Sequence, residues 1–289
     1  MKRILTISLV FLLLGWSHFL FAAESSLQKQ LALQGRDLIL ARRYEEAEQF
    51  LGQVVHQYPD QLLGYFGFMA LYQVRNLENF DYRFDPPYKV WESKGRELAL
   101  RNVRDEESSA WNLFLAGNTL GISGFYRAHN DHWLTALRDG SLAVHALQRG
   151  YEKDATLRES LLGIGLYDYW RSHFTHKLKF LPFFQDKRES AKSTLQIISR
   201  EANWTSPLAE MALAFIYFQE KNYGSTVSVT NRLLALYPRN VILKLLKGRA
   251  LFQLKKYPEA VHEFEEIESI DPEITKASLL KKKAVKRGS

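Results

Sequence analysis

Two stretches near opposite ends of the chain carry the same spacing of small, apolar and proline residues. In KGRALFQLKKYPEAVHEFEEIESIDP (247–272), Gly248 is followed twelve residues later by Ala260, then by Phe264 and Pro272. In QGRDLILARRYEEAEQFLGQVVHQYP (34–59), Gly35 is followed twelve residues later by Ala47, then by Leu51 and Pro59. A period in the range of about 20–50 residues means that each unit is a small supersecondary structure whose apolar face is buried only by stacking on its neighbours. Pro238 stands one such period before Pro272, and the stretch leading to it keeps Ala214 and Tyr217, with Thr226 where the alanine is expected.

These spacings resemble the tetratricopeptide repeat, whose two helices pack through a small residue on the first and an alanine on the second, with a proline closing the unit. The interval from Pro238 to Pro272 matches that family's repeat length of about 34 residues. The resemblance implies an all-α, right-handed superhelix of about six helical hairpins plus a C-terminal cap helix. Units end near Pro59, Asp105, Asp154, Trp204, Pro238 and Pro272. The division read from this is an N-terminal repeat (24–60), three elongated repeats (61–204), two regular repeats (205–272) and a basic cap helix (273–289). With its elongated centre the chain is similar to repeat proteins exported by bacteria.

The excess of the central units, roughly 12–16 residues each over the family period, falls between the two helices of a hairpin. It covers 76–88, 123–131 and the stretch WRSHFTHKLKFLPFFQDK (170–187), which places all three on one edge of the array. Pro86-Pro87 and Pro182 are expected to interrupt helix there. In the middle unit the helical pattern continues through Trp133, which points to longer helices instead.

The first residues, MKRILTISLVFLLLGWSHFLFAAESS, place Lys2 and Arg3 before an apolar run and Ala22-Ala23 after it. That is the pattern of a secretory signal at 1–23, with an uncleaved anchor over 4–23 as the alternative. The chain has no cysteine, which excludes disulfides and the lipid-bearing cysteine of a lipoprotein. The expected location is the periplasm of a Gram-negative bacterium. The net charge of +7 includes the tail KKKAVKR (281–287), read as a solvated helix end whose cations suit the C-terminal dipole, with contact to a membrane surface as the alternative. No nucleic-acid recognition motif is present, so no nucleic-acid partner is expected.

Candidate chemistry is thin. His129 and His132, and His173 and His176, are two His-x-x-His pairs in adjacent units, and four imidazoles on one edge are the raw material of a zinc site and a metal-dependent enzyme. No His-Glu-x-x-His frame, no Gly-x-Ser-x-Gly and no phosphate loop accompany them, so the reading is of a non-enzymatic protein without metal or cofactor. Asp105, Glu106 and Glu107 are read as the first turn of a helix.

The groove is more informative. The resemblance implies that the concave surface is lined by first-helix residues three and six before the small residue and one, four and five after it. Around Gly165 these include Leu162, Leu166, Tyr169 and Trp170; around Ala214, Met211, Phe215 and Phe218; around Gly248, Leu245 and Phe252. An apolar, aromatic lining of this kind points to a protein or peptide partner, or to a groove filled by the chain's own inserts. Phe180, Phe183 and Phe184 are placed at the mouth of that groove, with a membrane wedge flanked by lysines as the alternative. A further aromatic edge is read from Phe80, Tyr82, Phe84, Tyr126, Trp133 and Phe183.

Overall fold

The computed structural model describes residues 26–79, 81–130, 132–175, 185–201 and 205–288, and among these there are thirteen helices and no strand. They pack in consecutive antiparallel pairs: α1 (26–40) with α2 (Tyr44–Gln57), α3 (Leu62–Asn79) with α4 (Asp85–Arg104), and α5 (Ala110–His129) with α6 (Trp133–Lys153). The series continues with α7 (Ser160–Thr175) and α8 (Arg188–Glu201), α9 (Ser206–Gln219) and α10 (Tyr223–Leu236), and α11 (Val241–Gln253) and α12 (Tyr257–Ile270). A last helix, α13 (Thr275–Gly288), caps the array. The architecture is the six-hairpin α-solenoid with a terminal cap that the repeat spacing predicts.

The small residues set how closely each pair approaches. A Cβ on Gly248 would come within 2.5 Å of Phe264 Cε1, and one on Gly117 within 2.9 Å of the Ala143 carbonyl oxygen. In the regular hairpins the facing small positions are twelve residues apart (Gly35 and Ala47, Ala214 and Thr226, Gly248 and Ala260). In the three central hairpins the corresponding positions are twenty-six apart (Met69 and Gly95, Gly117 and Ala143, Gly165 and Ala191). In the third hairpin the fourteen extra residues divide into seven on α5 and seven on α6, two turns each, so the packing face drifts by only ~20°. Elongation by heptads therefore keeps that hairpin in register.

This corrects two expectations. The stretch 76–88 is not an insertion loop: Asn76 to Asn79 belong to α3, and Pro86 and Pro87 occupy the first turn of α4. Proline in that turn starts a helix rather than breaking one, because its missing N–H has no intrahelical partner there anyway. Likewise Asp105, Glu106 and Glu107 precede α5 instead of opening it; Asp105 caps the end of α4 and accepts from Glu107 N at 3.0 Å. In the middle unit, α5 and α6 absorb the added length, as the pattern through Trp133 predicts. In the fourth unit α8 begins three residues before Ala191, just as α10 and α12 begin three before Thr226 and Ala260, so the excess falls on α7 and the connection after it.

The tier added by the longer helices has a polar core. Asp139 on α6, fully buried, accepts from Arg96 at 2.5 and 2.6 Å and from Arg127 at 3.0 Å. Glu92 accepts from Arg127 and from the Ser123 hydroxyl, both at 2.6 Å. Beyond them Asp85 accepts from Tyr126 at 2.6 Å and Asn76 at 3.0 Å, while the Tyr88 and Tyr126 rings stack at 4.3 Å. Burial pushes both phenols up, Asp85 adding to the effect at Tyr126.

The two ends of the array meet. Tyr237 donates to Asp37 at 2.9 Å, and Asn240, which caps α11 through Leu243 N, also donates to the Leu40 carbonyl at 2.9 Å. Arg42 joins Glu78 at the end of α3 to Asp271 at the end of α12. Asn79 Oδ1 accepts from Thr275 Oγ1 and Lys276 N, so the end of α3 caps the start of α13. Six hairpins thus complete a turn and tie the first unit to the last.

Candidate functional site

The first helices of the hairpins, α7, α9 and α11, present the register positions read as the concave surface. Their residues divide by burial. Leu162, Tyr169 and Leu245 are buried, Tyr169 completely, and offer no surface to a partner. Tyr169 lies against the next hairpin instead, its hydroxyl donating to Glu220 at 3.3 Å, and burial raises its pKa ahead of the Glu220 charge. Its removal from the groove lining is a correction, because the residue four after the small position points into the neighbouring unit here.

Leu166, Trp170, Met211, Phe215, Phe218 and Phe252 are half-buried and form the available strip. Trp170 packs edge-on to Tyr169 at 5.3 Å and to His173 at 5.6 Å. Phe218 and Phe252, at equivalent positions of successive units, each meet the tyrosine at the start of the following helix, Tyr223 and Tyr257, edge-on at 5.4 Å. Those contacts fix the rings at their edges. The Arg249 guanidinium lies over the Phe218 ring at 4.7 Å from its centroid, a cation–π arrangement. Next to them Gln219 Nε2 and His173 Nε2 are 3.3 Å apart.

Two of the four histidines are placed. His173 stacks on Tyr169 and contacts Gln219, and His132 is exposed at the start of α6. The His129 side chain and His176 lie outside the described residues. Among the described residues no group of three or more His, Asp or Glu side chains is placed to hold a metal. Phe180, Phe183 and Phe184 also lie outside the described residues, as do Phe80 and the Trp133 side chain. Of the other edge aromatics, Tyr82 and Phe84 are half-buried, Phe84 stacking under the Arg75 guanidinium at 3.8 Å. Tyr126 is buried in the polar tier and is removed from the edge surface.

Sequence reasoning missed the seam and the polar tier. Beside the seam a shallow concavity of about 700 Å³ opens between α1, α2 and the end of α10, with Asp37, Arg43, Phe50 and Tyr237 in its wall. One signal was available for the seam: Arg42, Lys221 and Lys255 stand at the same turn position in the three regular hairpins, all with φ near +61°. In each, the next residue's N–H bonds the carbonyl five back (Arg43 to Leu38, Asn222 to Tyr217, Lys256 to Leu251), the helix-ending motif that usually takes glycine. Of the three, only Arg42 is buried in ion pairs.

The fold so defined is a tetratricopeptide-like α-solenoid, a stack of two-helix units around a concave face. No family model matches the chain, and no curated protein matches it. Twelve chains of solved structures match. One is the crystal structure of the APC/C hetero-tetramer Cut9–Hcn1, 14% identical, with a TM-score of 0.42. The match covers 86% of this chain and 47% of that one, so the chain spans about half the length of the structure it matches.

Proposed function

We propose that the protein is a non-enzymatic binding scaffold of the bacterial cell envelope that holds a protein or peptide partner on its concave face. The observation that carries this reading is the half-buried strip of Leu166, Trp170, Met211, Phe215, Phe218 and Phe252 on three successive first helices. Half-buried rings already held by edge-on aromatic contacts lose little freedom when a partner covers them, the property of aromatic anchors at interfaces. If the strip is such an anchor, Trp170→Ala and Phe218→Ala each weaken partner binding by about 2 kcal/mol or more while the array stays folded. Isothermal titration with a partner recovered by pull-down, beside a thermal melt, checks it. A loss of stability of about 3–5 kcal/mol with affinity unchanged would mean that the rings are core.

The envelope location rests on the segment from Met1 to Ala23 alone, which lies outside the described structure. Its charge and hydropathy pattern supports export, with a mature chain beginning at Ala23 or Glu24. N-terminal sequencing of the protein from its native host decides this. Recovery of an intact Met1 from the membrane fraction would instead identify an anchor.

A further inference from the structure

The concave strip changes character toward the C-terminus. Moving one repeat on from α11 to α13, Lys283 takes the register position of Arg249, Lys286 that of Phe252 and Arg287 that of Gln253. The opposite face of α13 is the one that docks: Ala277 and Ala284 are fully buried, and Lys281 pairs with Glu268. Leu279, Lys283, Lys286 and Arg287 are therefore left in solvent, Leu279 57% exposed.

None of Arg249, Lys283, Lys286 and Arg287 has a carboxylate partner among the described residues, and the strip positions on α9, α11 and α13 hold no Asp or Glu. By contrast Arg42, Arg96, Arg127 and Lys244, all largely buried, each have at least one carboxylate. Arg249 lies over the Phe218 ring, where partial desolvation, with no carboxylate to offset it, pulls its pKa below the usual value.

We infer that the α9–α11–α13 part of the concave face docks an acidic protein segment, its carboxylates over Arg249 and Lys283 and an apolar side chain against Phe218 and Leu279. The inference rests on the scaffold reading above and adds the partner's charge to it. A recessed face suits a narrow segment better than a flat bilayer, and unpaired cations around apolar contacts favour an opposite potential while repelling basic competitors.

Selection of a random twelve-residue peptide library on the purified full chain tests this. Asp and Glu, together with aromatic or aliphatic residues, are expected to be enriched at least threefold over the input. A synthetic copy of the leading peptide should lose at least tenfold in affinity to the Arg249→Gln/Lys283→Gln variant, whose changes are on exposed side chains and leave the melting curve in place. The Arg249→Glu/Lys283→Glu/Lys286→Glu variant should turn the enrichment toward Lys and Arg. Enriched peptides without acidic residues, bound by wild type and lost with Trp170→Ala, would overturn the charge inference and leave the scaffold reading intact. No enrichment would overturn both. Binding to phosphatidylglycerol vesicles, lost in the double variant, with no peptide selected, would overturn the inference in favour of a lipid surface.

Discussion

Replacing Asp139 with alanine is expected to destabilise the protein by about 3–5 kcal/mol, the usual cost of removing one partner from a buried ion pair. Asp139 is fully buried and receives both nitrogens of Arg96 and one of Arg127, so its loss leaves the largely buried Arg127 with Glu92 alone and Arg96 with the Ser123 hydroxyl and no carboxylate among the described residues. Water cannot solvate them without entering the tier between α4, α5 and α6. Converting the whole group together, with Glu92→Gln, Arg96→Met, Arg127→Met and Asp139→Leu, should cost much less, because no charge is then stranded. Chemical unfolding of both variants checks the pair of expectations. A loss below about 1 kcal/mol for Asp139→Ala would show that the tier is already wet.

That tier explains how far the sequence was legible. The regular hairpins could be read because their contacts are local: Gly248 against Phe264, with Ala260 twelve residues on, is a spacing visible along the chain. The central hairpins keep the same contacts at a spacing of twenty-six, which hides the period while preserving the geometry. Pro86 and Pro87 then look like breakers, although they initiate a helix. Arg96, Arg127 and Asp139 leave no trace in the spacing, because nothing in a helical pattern marks which charges will find one another across three helices. The groove was half legible. Repeat register puts Trp170 and Phe218 on the concave side, but whether a ring such as Tyr169 faces the opening or the next unit depends on how tightly the superhelix turns, a property of the whole array.

The two ends of that turn meet at the seam, and the second large effect is expected there. Arg42 is held in a left-handed backbone conformation at the end of α1, and its side chain spans Glu78 at 2.9 Å and Asp271 at 2.5 Å. Burial works against its charge, yet the bonds from Glu78 and then Asp271 outweigh it and hold the pKa above the usual guanidinium value. Arg42→Ala leaves the Glu78 carboxylate, only 7% exposed, with the Tyr44 hydroxyl at 2.7 Å as its remaining bond from that side. A stranded buried carboxylate again costs about 3–5 kcal/mol, unless the structure relaxes to wet it. Relaxation here means parting the first unit from the last, since the remaining seam contacts are single hydrogen bonds such as Tyr237 to Asp37 and the more exposed Arg83–Glu273 pair. Two results follow together: a fall in unfolding free energy, and a longer distance between spin labels placed on α2 and α12. Removing the charge at both ends, with Arg42→Gln and Glu78→Gln, should recover much of the stability while leaving the seam looser, because the cost lies in the unpaired ion and the closure lies in the bridge. If Arg42→Ala changes neither the stability nor the label distance, the ends are held by the helix packing alone and Arg42 is incidental to the curvature of the groove.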